Sequence, residues 1–215
     1  MVHGLLYVLL MGMGLVEIVL VGAAATLLLR RHARRHPQPP AGTGARPGTA
    51  SQAMQIVAGQ VRAPAGAGDL ERAIVETRRS DRDFFAESVE RAASECFRLV
   101  HTALVMRDAG HIRGRLTPEM YAILRGQAAN LKAAGRFRHV ERVEIDAARL
   151  TELWQARGQD VATVHVVSRL IEYTSDGAGT VVAGSPSTPV RVTQWWTFTR
   201  PIGPHAWTLA AIEQR

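Results

Sequence analysis

An α+β fold carried behind a membrane helix is what this sequence predicts, and three observations predict it. The run from Gly4 to Leu29 is 26 residues long and holds a single ionisable side chain, Glu17. Apolar residues recur at helical spacing between Asp69 and Leu131, and from Val143 onward the period shortens to two, with β-branched and aromatic residues between Gly- and Pro-rich turns. Helices first and an antiparallel meander afterwards is an α+β order, with the helices on one face of the sheet. The length agrees, since 215 residues amount to one domain of about 100–150 residues plus an appendage.

The first element is a transmembrane helix at 4–29. At about 1.5 Å per residue it reaches about 39 Å, more than the roughly 30 Å hydrocarbon core requires. A cleavable signal peptide fits less well: Met1-Val2-His3 has no Lys or Arg, and the chain stays apolar past Ala23-Ala24-Ala25. Glu17 lies near mid-span, where an ionised carboxylate costs a few kcal/mol, so it is expected to be protonated, paired or turned toward another helix. Gly14 lies three residues before it, and Gly22 and Thr26 form a small-xxx-small pair that would let a second helix approach closely.

Arg30, Arg31, Arg34 and Arg35 follow the span directly, whereas the residues before it carry no Arg or Lys. This asymmetry places the bulk of the chain on the cytoplasmic side. The collar has two readings, a topology signal alone or a contact with anionic head groups at about 1 kcal/mol per basic residue. His32 and His36 share an i, i+4 spacing, but the neighbouring Arg side chains would repel a metal cation. Pro37 to Ser51 is built of Pro, Gly, Ala, Thr and Ser and reads as a tether. The amphipathic stretch of Met54, Val57, Ala58 and Val61 ends at Pro64. The chain thus divides into the helix at 4–29, a collar and linker at 30–68, and a folded domain at 69–215.

Charge supports this division. The net +7 is concentrated between Arg30 and Ser80, where nine Arg stand against three carboxylates, and the folded part is close to neutral. No nucleic-acid partner is expected, because a folded face rich in basic residues is missing from the pattern. A single cysteine, Cys96, excludes a disulfide framework and a cysteine zinc cluster.

Within the domain, Asp69 to Arg79 reads as a solvated helix packed on the rest. A long helix is expected after a cap at Ser80-Asp81, with Phe85, Val89, Ala92, Cys96, Val100 and Leu104 on one buried stripe. Cys96 on that stripe reads as a small core side chain. Gly110 ends the pattern, and Thr117-Pro118-Glu119 opens a second helix as cap, first helical residue and acidic first turn. Met120, Tyr121, Ile123, Leu124 and Leu131 are expected to point inward, with the helix ending near Gly135. Four strands are expected: Val143 to Trp154, Val161 to Tyr173, Val190 to Arg200 and Ala206 to Ile212. Gly158-Gln159-Asp160, the loop from Ser175 to Pro189, and Pro201 to Pro204 supply the turns.

Three segments of the domain resemble the Tim44-like domain: Leu116-Thr117-Pro118-Glu119-Met120-Tyr121, the run Val192 to Arg200, and Trp207 to Ile212. The likeness covers about Asp81 to Glu213, with Trp196, Phe198, Arg200 and Trp207 as its most specific positions. The family includes mitochondrial inner-membrane import-motor scaffolds and bacterial proteins with an N-terminal membrane anchor. The resemblance implies a cystatin-like or NTF-two-like cone, two or more helices on a curved four-stranded antiparallel sheet. It further implies contact with acidic phospholipid, adaptor work without catalysis, and the anchored architecture of the bacterial inner-membrane members; the collar's asymmetry sets the N-terminus outside. The long N-terminal region of the import-motor scaffolds is not matched, so no import-motor role is expected.

Catalytic motifs are sparse: there is no nucleophile elbow, no phosphate-binding loop, no His-Glu-x-x-His, and one lysine, Lys132. No cofactor or metal is expected. His101, His165, Glu172 and Tyr173 are the residues that could serve a pocket by type. Tyr173, Trp195, Trp196, Phe198 and Trp207 are the candidates for docking or for lining a pocket. Trp195 and Trp196 are consecutive in a strand and must point to opposite faces, so one of them leaves the helix side. The leading expectation is a membrane-tethered adaptor that binds protein and anionic lipid; an accessory subunit of a larger inner-membrane complex and a pocket protein are the alternatives.

Overall fold

The computed structural model describes residues 66–214, and the membrane segment, the collar and most of the linker lie outside the described residues. Helix α1 spans Ala67–Ser80, α2 Ala86–Met106 and α3 Pro118–Ala133, with a 3₁₀ turn at Gly110–Arg115 between the last two. Five strands follow: β1 Phe137–Ala156, β2 Gln159–Ser175, β3 Val181–Gly184, β4 Val190–Pro201 and β5 Thr208–Glu213. No helix among the described residues is long and apolar enough to cross a membrane.

All strand pairs are antiparallel, in the order β1-β2-β4-β5, with β3 paired to the end of β2 that β4 does not reach. The sheet therefore has five strands where four were expected. The missed strand, β3, lies inside the expected loop from Ser175 to Pro189. The β1–β2 connection is tighter than expected: Ala156 pairs with Gln159, leaving Arg157 and Gly158 as a two-residue turn. Both have positive φ, 51° and 79°, the conformation whose twist matches the flanking strands. Gln159 and Asp160, expected in the turn, belong to β2.

α2 is the centre of the core. Val89, Ala93, Phe97, Ala103 and Leu104 are buried along it, against Val164, Val166 and Leu170 of β2 and Trp196 and Phe198 of β4. Three register shifts in β1, at Glu141/Glu144, Ile145/Ala147 and Leu150/Glu152, bend this 20-residue strand along α2. Glu90 fastens the bend, because its Oε1 accepts the Leu150 N–H at 2.9 Å.

The expected start of α2 needs correction. Ser80 and Asp81 close α1 rather than cap α2, which begins after Phe85. Phe84 is buried and Phe85 is exposed, so the stripe opens one residue earlier than expected and outside the helix. The Thr117 cap stands: its side chain accepts the Met120 N–H, Pro118 is the first helical residue, and Glu119 lies in the first turn. Met120 and Leu124 are buried, whereas Ile123 is exposed. α3 is pinned to the sheet by the Thr117 N–H, which donates to Leu209 O at 2.9 Å.

Candidate functional site

The sheet sorts its chemistry by face. On β2, Asp160, Ala162, Val164, Val166, Ser168 and Leu170 point toward the helices, paired across β4 with Arg200, Phe198, Trp196, Gln194, Val192 and Val190. Trp196, Phe198 and Trp207 of the docking candidates are thereby core residues, at 1%, 0% and 7% exposure. The Trp196 ring lies 5.5 Å from Phe97, and its Nε1 donates to Gln194 Oε1 at 3.1 Å. Folding commits these three to packing, which leaves Tyr173 and Trp195 as the candidates with accessible ring surface.

Trp195 is the member of the tryptophan pair that leaves the helix side. It is half-buried on the outer face, its ring 4.8 Å from that of His165. At the far end of the same face Tyr173 stacks on His139 at 4.4 Å and donates its OH to Glu141 Oε1 at 3.2 Å. His139 Nε2 is 2.9 Å from Ser175 Oγ.

The helix-facing side holds charge that the sequence reading did not place. Arg200 is 5% exposed and gathers four elements. Its Nε donates to Asp160 Oδ2 at 3.0 Å, and its Nη1 lies 2.9 Å from Asp81 Oδ2 and donates to His205 O at 3.3 Å. The guanidinium also stacks over Trp207 at 4.5 Å and Phe84 at 5.3 Å. Two carboxylates, a carbonyl and two aromatic faces thus join the α1–α2 junction, the start of β2 and the entry to β5. Asp81 looked like a helix cap, and only the fold reveals that it serves Arg200.

A second buried group sits where the C-terminal half of α2 meets β1. Arg138 pairs with Glu172, which faces inward. His101, buried at 3% exposure, packs its ring 4.5 Å from Phe97. Desolvation, with the nearby Arg138 charge adding to it, holds the His101 imidazole down at about 3, so it is neutral at ordinary pH. Its Nδ1 has no hydrogen-bond partner among the described residues. Burial pushes the Cys96 thiol up to about 11, with Glu95 adding to this and Arg115 opposing it. That chemistry is inert, as expected for a core cysteine.

Of the residues that could serve a pocket by type, His101 and Glu172 lie inside and His165 and Tyr173 outside, so they form no common site. The space between α2 and the sheet is filled by side chains, Phe97, Leu104, Leu170 and Trp196 among them. A surface depression of about 380 Å³ lies between α2 and the bent part of β1, with Arg91, Arg98 and Arg149 on its walls beside Glu87 and Glu90. No group of three or more metal-ligating side chains occurs among the described residues.

Comparison with known proteins found no match among curated sequences. The crystal structure of the intermembrane space region of the chloroplast protein ARC6 resembles this fold at 12% identity. The likeness covers 60% of this chain and 95% of that one, with a TM-score of 0.44. The model of the Tim44-like domain matches residues 70–214, which takes in α1 from Leu70, both later helices, all five strands and the Arg200 clasp: the chain belongs to the Tim44-like domain family.

Proposed function

We propose that this protein is a membrane-anchored, non-catalytic adaptor whose Tim44-like domain works at the cytoplasmic face of a bacterial inner membrane. The observation that carries the reading is the sequence from Gly4 to Arg35. An apolar stretch with one ionisable group, Glu17, is followed at once by Arg30, Arg31, Arg34 and Arg35. Membership of a family with membrane-anchored scaffolds supports it. The collar then lies among anionic head groups, the linker from Pro37 gives reach, and the domain presents its surface to protein partners. The side-chain-filled interior and the neutral, buried His101 favour binding over catalysis. Glu17 with Gly14, and the small pair Gly22 and Thr26, would be the positions of contact with partner helices within the bilayer.

Reporter fusions test this reading. A C-terminal reporter active only in the cytoplasm should be active, and exchanging the four collar arginines for glutamine should yield a mixed orientation. A C-terminus found across the membrane in the unaltered protein would contradict the reading.

A further inference from the structure

The register of β1 against β2 leaves part of a strand edge without a partner strand. β1 is an end strand of the sheet, so only one of its edges is paired. Along an antiparallel ladder, hydrogen-bonded and non-hydrogen-bonded pairs alternate. The Leu150 N–H donates to Glu90 Oε1 on the side away from β2, which makes Leu150 and Val164 a non-hydrogen-bonded pair. Counting along β2, Ala148 with Val166 and Ile145 with Ser168 are pairs of the same kind. The N–H and C=O groups of Ile145 and Ala148 are therefore directed to the free edge. No side chain among the described residues takes them as Glu90 takes Leu150.

This edge opens on the surface depression of about 380 Å³, whose lining includes Ile145, Ala147 and Ala148. α2 runs antiparallel to β1 along it, with Glu90 beside Leu150 at one end and His101 near Arg138 beyond the other. A sheet edge of this kind takes an extended peptide, which adds a strand through its own backbone. Two features keep that strand short: Glu90 closes the edge at Leu150, and the register shift at Ile145/Ala147 interrupts it at the far end.

The walls indicate what the segment carries. Arg149 is paired with Glu90, and Asp146 shares Arg169 with Glu144 and has the Arg191 charge close by, so these groups balance. Arg91 and Arg98 are exposed on α2, two helical turns apart on the groove side, and form no ion pair among the described residues. Arg98 touches only its own helix, through Ser94 O at 3.2 Å. Glu87, the remaining acidic wall residue, lies one turn before Arg91, toward the Leu150 end. The Ile145 end is thus the positive one and suits an acidic side chain.

We propose that the groove between α2 and the free edge of β1 binds a short extended segment of a partner protein. Its backbone pairs with Ile145 and Ala148, and its acidic side chain meets Arg98. This rests on the adaptor reading and gives the domain a site for its partner.

Selection of displayed random heptapeptides on the full-length protein in detergent micelles tests this. Recovered sequences should carry an acidic residue and, as free peptides, should slow amide exchange at Ile145 and Ala148 at least ~10-fold. N-methylation of one alternate set of peptide residues should abolish binding, and of the other set should not. Arg98→Glu should weaken binding at least ~10-fold, and a peptide with Lys in place of its acid should recover it. Ala148→Pro removes an N–H that the ladder does not use, so the domain should stay folded and lose the peptide; should it not fold, Arg98→Glu on its exposed side chain decides. The absence of any enriched sequence, protection confined to amides outside the groove, or undiminished binding by Arg98→Glu would overturn the proposal. So would binding of phosphatidylglycerol vesicles through Arg91 and Arg98 with no peptide selected. A C-terminus across the membrane in the reporter fusions would instead sink the adaptor reading, and peptide binding in micelles would still be read separately.

Discussion

Arg200 shows how one buried charge can organise a small domain. Its guanidinium satisfies Asp160 and Asp81 together and lies on the faces of Trp207 and Phe84. Breaking such a group from one side leaves carboxylates buried without a counter-charge, which costs about 3–5 kcal/mol. Arg200→Leu is therefore expected to lower the urea midpoint by that equivalent, and Arg200→Lys to recover only part of it, because an ammonium lacks the planar fork. A loss under about 1 kcal/mol in urea titrations would contradict this account. His101 adds a pH dependence of known sign. Its folded pKa, about 3, lies below the unfolded value near 6.5. The unfolded chain therefore binds the extra proton between those limits. Stability from this residue is complete above pH 6.5 and falls as the pH drops toward 3, by up to about 1.4 kcal/mol per unit. Denaturant titrations at pH 7 and pH 4.5 should show the difference, and His101→Phe should flatten it. Cys96, pushed up to about 11 and buried, should resist thiol reagents at pH 8 until the protein unfolds.

Elements differed in how openly the sequence announced them. The start of α3 was legible because Thr117, Pro118 and Glu119 act locally, each on backbone groups within one turn. Thr117→Ala should accordingly cost about 1 kcal/mol, read from the unfolding midpoint. The start of α2 was not legible, since Asp81 has a cap's chemistry but is drawn away by Arg200, a contact that spans 119 positions. Strands β2 and β4 were legible from their β-branched and aromatic residues, within about two residues at each end. β3 escaped because four residues, Val181 to Gly184, are too few to show a period of two. Its placement depends instead on Gly184, whose φ of 74° suits glycine and whose missing side chain lets Glu172 O approach. Gly184→Ala is expected to detach β3 from β2, seen as faster amide exchange at Ala183 and Thr174 with the rest of the sheet protected. The paired tryptophans gave half of an answer. Alternation required one of them to leave the core, and only the register of β4 against β2 identified it as Trp195.

In the full chain a folded domain with two different sheet faces follows an apolar stretch and a basic collar. The inner face is closed over α2 and held by Arg200. The outer face carries Trp195 against His165 and Tyr173 stacked on His139. The Tim44-like domain was recognisable in sequence because its motifs fall on a capped helix start and on strands whose side chains lock into the core, Trp196, Phe198 and Trp207 among them. The buried clasp was not, because it assembles from residues far apart in the chain. Anchorage through Gly4 to Leu29 is read out by extraction of membranes at alkaline pH. The full-length protein is predicted to stay in the pellet through high salt and carbonate and to be released by detergent alone. Full-length protein recovered in the carbonate supernatant would contradict anchorage.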